Sequence, residues 1–210
     1  MTRTKSTFLA LLAVLLSPLA NAGLIYQHDN NTPSGSNGYT EGNDSIVGNW
    51  FETQLGFDTI GSISVYWGIA PGTSVTLGIV DDPNGDGNLA DGSLLGSVSV
   101  TPGAGDIGSL VTYALGIEVT VGDGFFVGAF IENGPGGLFP VFRDTSTGNN
   151  SLGFSRALQG NGTFLSLAQG AVTFPDSFWM IRANAVPEPG TLALLGIGLF
   201  GMGLARRKIV

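Results

Sequence analysis

The chain has 210 residues, with 16 acidic and 8 basic side chains, a single histidine and no cysteine. Five of the basic residues (Arg3, Lys5, Arg206, Arg207 and Lys208) lie in the terminal segments, so the stretch between them sets fifteen acids against Arg143, Arg156 and Arg182. Such a surface repels phosphate backbones and argues against a nucleic-acid partner, and the lack of cysteine excludes disulfides, thiol nucleophiles and Cys-based metal sites.

Residues 1–22 have the layout of a secretory signal: Arg3 and Lys5, the uncharged run from Phe8 to Leu16, and a small-residue ending in which Ala20 and Ala22 fit the cleavage rule. Signal peptidase would leave a mature chain beginning at Gly23. The segment from Gln27 to Asn43, rich in Asn, Ser and Gly, reads as loop with His28 solvated in it.

From Ser62 the sequence alternates with a period of two. Ile63, Val65, Trp67 and Ile69 share one side of a strand; Val75, Leu77 and Ile79, then Val98 and Val100, then Leu110, Thr112 and Ala114, then Phe125, Val127, Ala129 and Ile131 repeat the pattern. Strands are also expected over Leu152 to Leu158, Thr163 to Leu167 and Ser177 to Ala185, the last apolar on both faces, with Arg182 needing a carboxylate or carbonyl partner. Turn signals such as Ala70-Pro71-Gly72, Asp82-Pro83-Asn84-Gly85 and Gly122-Asp123-Gly124 separate these runs. The expected fold is all-β: an antiparallel β-sandwich, jelly-roll-like or Greek-key, over residues 23–185.

Between two of those strands, Asp82, Asn84, Asp86 and Gly87 match D-x-[DN]-x-[DN]-G, in which oxygens at alternate positions converge on calcium and the Asn88 carbonyl supplies the seventh position. The twelfth position is Ser93 where a bidentate glutamate is usual, so this is a calcium site of weak, loop-locking type or a polar turn. No G-x-S-x-G is present, and Glu52, Glu118 and Glu132 read as solvent-face groups. Trp50, Phe51, Tyr66, Trp67, Phe139, Phe142 and Trp179 could line a sugar platform, but alternation assigns them to the core. Asn149 to Ser151 and Asn161 to Thr163 match the glycosylation pattern.

The final residues, 186–210, run Val186-Pro187-Glu188-Pro189-Gly190, then Thr191 to Ala205 without a charge, then Arg206, Arg207 and Lys208. As a helix the uncharged run extends about 22 Å, short of the ~30 Å hydrocarbon core, and the basic end would stay cytoplasmic. Motif, short transmembrane span and basic tail in this order resemble the PEP-CTERM sorting signal. The resemblance implies that Val186, Pro187, Glu188 and Pro189 are read by an exosortase, that the span anchors the precursor in the inner membrane of a Gram-negative bacterium, and that Arg206 and Arg207 stop transfer. It also implies delivery to the envelope or an exopolysaccharide matrix. The expected function is non-enzymatic, structural or binding; the alternative is a secreted carbohydrate-active hydrolase using paired carboxylates.

Overall fold

The computed structural model describes residues 23–35, 38–39, 42–68, 74–132, 137–138, 140–145, 153–173 and 177–186. The signal segment with Ala20 and Ala22, and the C-terminal residues Pro187, Glu188, Pro189, Arg206 and Arg207 with the expected span, lie outside them. So do Phe139 and the Asn149 to Ser151 sequon. Among the described residues no helix is long and apolar enough to cross a membrane.

Among the described residues the strands are β1 (Ile25–Tyr26), β2 (Gly38–Tyr39), β3 (Asp44–Glu52), β4 (Thr59–Tyr66), β5 (Val75–Asp82), β6 (Ser93–Val100), β7 (Leu110–Thr120), β8 (Gly124–Ile131), β9 (Gly137–Leu138), β10 (Arg143–Asp144), β11 (Gly153–Gly160), β12 (Val172–Thr173), β13 (Phe178–Trp179) and β14 (Ile181–Val186), with an α-helix, α1 (Phe164–Gly170). A four-stranded sheet in the order β1-β14-β4-β7 faces a six-stranded sheet in the order β12-β11-β3-β8-β5-β6. All pairings are antiparallel. The pairs β5 with β6, β4 with β7, β3 with β8 and β1 with β14 nest inside one another, the pattern of a long hairpin rolled up as in a jelly roll. The insertion between β8 and β14 adds β11, β12 and α1 to one edge.

The period of two places Ile63, Val65 and Trp67 of one sheet against Val75, Leu77, Ile79, Phe125, Val127, Ala129 and Ile131 of the other, in one buried core. In β7 the faces are reversed from expectation. Leu110, Thr112 and Ala114 point to solvent, and Val111, Tyr113 and Leu115 pack on the core.

The stretch expected as a strand over Thr163 to Leu167 is α1 instead. Thr163 and Ser166 form a capping box, the Thr163 hydroxyl accepting the Ser166 N–H while the Ser166 hydroxyl accepts the Thr163 N–H. Phe164, Leu167 and Ala168 then fall on one helical face, which covers the outer side of the six-stranded sheet together with Ile46, Trp50, Val80, Phe126 and Phe130. The sheet accepts this layer because Gly48, Gly128 and Gly78 stand in register across β3, β8 and β5. A Cβ at Gly48 would lie 2.6 Å from the Phe126 ring, and one at Gly78 would lie 2.8 Å from the Phe164 ring. The three glycines form a trough in which aromatic rings rest on bare backbone.

Candidate functional site

The loop after β5 folds back over the same outer face. Asp82 is fully buried (0% exposed). Its Oδ2 accepts hydrogen bonds from Trp50 Nε1 at 2.7 Å and from the Gly87 N–H at 2.8 Å. Its Oδ1 is equally buried and has no hydrogen-bond partner among the described residues.

The turn itself depends on Gly85 and Gly87, both left-handed at φ +64° and +77°. The Gly85 N–H donates to the Asp82 carbonyl at 3.1 Å. Three successive polar side chains then each accept the backbone N–H two residues on: Asn84 from Asp86 (3.1 Å), Asp86 from Asn88 (2.7 Å) and Asn88 from Ala90 (3.1 Å). Leu89, in a 3-10 turn (Leu89–Asp91), buries beneath α1, and Gln169 Nε2 donates to the Gly92 carbonyl at 3.1 Å. Arg156 on β11 ties loop to helix, its Nη1 donating to the Ala171 carbonyl at 2.7 Å and its Nη2 to the Gly87 carbonyl. Burial lowers the Arg156 pKa from its ordinary value, and the charges of Asp82 and Asp86 act to raise it.

The four residues expected to ligate calcium therefore sit on one braced loop. Asp82 is inside, while Asn84, Asp86 and Asn88 are exposed, Asn84 Nδ2 donating to Asp86 Oδ2 at 3.2 Å. Among the described residues no group of three or more His, Cys, Asp or Glu side chains gathers as a metal site. Beside the loop a cleft of 560 Å³ is lined by Glu52, Leu55, Asp58, Asn84, Gly85 and Asp123. Glu52 ends β3, Asp58 lies in the β3–β4 connection and Asp123 in the β7–β8 connection, and nothing local in the sequence brings these carboxylates together.

His28 is a correction. It is 5% exposed, not solvated. Its ring stacks on Phe51 at 4.3 Å between centroids and meets the tilted Phe178 ring at 4.6 Å. Nε2 lies 3.0 Å from the Trp50 carbonyl, and Nδ1 is buried without a hydrogen-bond partner among the described residues. Burial lowers its pKa, against smaller raising effects from that carbonyl and from Asp29. The neighbouring Asp29 is the partner that Arg182 needs: Arg182 Nε donates to Asp29 Oδ2 at 2.9 Å and Nη2 to Asp29 Oδ1, in a pair closed off from solvent. Part of the segment read as loop is thus a strap pinned across β14.

Among the described residues, the aromatic side chains considered as a sugar platform do not form one. Trp50, Phe51, Trp67 and Trp179 are buried, and Tyr66 and Phe142 are half-buried against each other at 5.7 Å between ring centroids. Glu52, Glu118 and Glu132 are exposed, as expected.

Val186, the first residue of the expected sorting motif, is also the last residue of β14, paired with Thr59. The interior place of β14, between β1 and β4, fixes where the chain leaves the domain. No curated protein matches the chain. The family model of the PEP-CTERM protein-sorting motif matches residues 185–208, so the chain carries that motif at its C-terminal segment and is a secreted, exosortase-targeted protein anchored transiently at the membrane.

Proposed function

We propose that the chain is a non-enzymatic exosortase substrate whose β-sandwich is delivered to the cell envelope or the extracellular polysaccharide matrix, where it has a structural or binding role. The observation that carries this reading is the PEP-CTERM match beginning at residue 185, inside the last strand of the domain. Every strand of the two sheets lies on the N-terminal side of Pro187. Cleavage within or after the motif therefore removes the anchor without unravelling the sheet.

Two features support a non-catalytic domain. The single histidine is packed against two rings and bonded to a backbone carbonyl, a structural position. Among the described residues, Trp50, Phe51, Trp67 and Trp179 are buried in the two cores.

The test is Glu188→Ala in the protein's own host. The signal that directs export and the motif read by the exosortase are at opposite ends of the chain, so the expected result is normal export with unprocessed precursor accumulating in the inner membrane. Release of the variant at the rate of the unaltered protein would overturn the reading.

A further inference from the structure

We infer that the Asp82 loop is a calcium-binding site that uses Asp82, Asn84, Asp86 and the Asn88 carbonyl as its protein oxygens. The sequence pattern alone does not carry this, because Asp, Asn and Gly are also the ordinary residues of tight turns. The independent observation is the state of Asp82. A carboxylate oxygen with no hydrogen-bond partner and no exposure is expensive, and a native fold holds such a group when something absent from the protein's own atoms completes it. Here Oδ1 is that atom, and it belongs to the first residue of the pattern.

The direction of the carboxyl is set by its other oxygen. The Gly87 N–H, from within the loop, clamps Oδ2 at 2.8 Å, while Trp50 Nε1 holds it from the sheet side at 2.7 Å. The carboxyl thus meets the loop through Oδ2 and leaves Oδ1 without a hydrogen-bond partner among the described residues. Hard oxygen donors on a glycine-hinged loop suit calcium, which accepts irregular geometry and completes its shell with water. The cleft carboxylates Glu52, Asp58 and Asp123 add negative potential next to Asn84.

Two features limit the affinity. The usual bidentate glutamate is replaced by Ser93, and Arg156, bonded to the Gly87 carbonyl, brings positive charge close to Asp82 and Asp86. A dissociation constant of about 0.1 to 1 mM follows, the range of extracellular modules. Such a site would be filled outside the cell and empty inside it, so the ion would brace the loop against α1 after export.

Trp50 supplies the assay. Its indole touches the carboxylate that would hold the ion, so a terbium ion bound there is sensitised by tryptophan excitation. With the full-length chain in mild detergent, the expected result is terbium emission that calcium displaces, and a calcium-dependent rise of several degrees in unfolding temperature that magnesium at equal concentration does not give. Asp86→Asn keeps an oxygen to accept the Asn88 N–H but removes a charge, and should weaken calcium binding by about tenfold or more while the metal-free protein melts as before. Asp91→Asn removes the same charge from the same loop outside the ligand set and should leave binding unchanged. The proposal fails if the unaltered protein gives no displaceable emission and no calcium shift, or if Asp86→Asn and Asp91→Asn respond alike, which would mean general charge screening.

Discussion

The two outer faces of the sandwich each hold a buried aspartate, and the two are treated in opposite ways. On the four-stranded sheet Asp29 gives both oxygens to the Arg182 guanidinium, and Oδ1 also accepts the Asn31 N–H at 3.1 Å. On the six-stranded sheet Asp82 bonds through one oxygen only. Burial is nearly equal, at 3% and 0% exposed. The difference lies in the surroundings. The Asp29 face is polar, with Asn184 Nδ2 donating to the hydroxyls of Ser62 and Ser64 and Ser64 sharing a bond with Thr112, so a charge pair can be closed over by a short strap. The Asp82 face is an apolar floor of Trp50, Val80 and Phe126 under α1, and both donors to the carboxylate, Trp50 Nε1 and the Gly87 N–H, meet the same oxygen. One aspartate bonds through both oxygens, and the other through one oxygen beside an exposed loop.

The sharpest way to break the comparison is Arg182→Met. It leaves Asp29 buried without its charge partner and should cost about 3–5 kcal/mol in urea unfolding. The double variant Arg182→Met with Asp29→Leu should recover much of that loss, because a well-packed apolar pair replaces a buried ion pair at little net cost. Equal destabilisation of single and double variants would show that the strap is held by something other than the pair.

A smaller contrast separates the two aspartates directly. Asp29→Asn strips Arg182 of its counter-charge and should cost about 2 kcal/mol or more, whereas Asp82→Asn in calcium-free solution keeps an oxygen for Trp50 and Gly87 and should cost about 1 kcal/mol or less. Urea midpoints of the two variants, measured side by side with chelator present, decide it. Equal losses would mean that Asp82 is as fully engaged as Asp29.

The inner faces were legible because they follow one rule: alternating Ile, Val, Leu and Phe in β4, β5 and β8 all land in the shared core. The outer layer follows a different rule and was missed. Phe126 and Phe130 alternate with the core positions of β8, and nothing in the sequence says that a helix covers them. In Phe164-Leu165-Ser166-Leu167-Ala168 the apolar spacing of three and four was present, but its shortness let it pass for a strand. The Gly48, Gly128 and Gly78 trough exists only once strand register is known. For the candidate site, the oxygens of the Asp82 loop were legible as a pattern and the need of Arg182 for a partner was foreseen. Which carboxylate would meet it, 153 residues away in the chain, was not. The polar neighbours Gln27, Asn30 and Asn31 likewise hid the burial of His28.

The smallest expected effect concerns pH and the same strap. His28 is buried neutral, with its pKa lowered by desolvation, so the unfolded chain binds a proton that the folded one refuses. Stability from this group is therefore complete above the ordinary imidazole pKa of about 6.5, and falls as pH drops below it toward the folded pKa. One proton limits the slope to about 1.4 kcal/mol per pH unit. The structural cause is Nδ1: protonation would leave a second N–H donor buried with no acceptor among the described residues. His28→Gln retains a side-chain donor toward the Trp50 carbonyl and removes the titration. The variant should be somewhat less stable at pH 7.5, and its stability should stay flat on acidification to the point where carboxylates begin to titrate, while the unaltered protein loses stability over that interval. Parallel curves for the two proteins would assign the acid sensitivity elsewhere and leave His28 as packing alone.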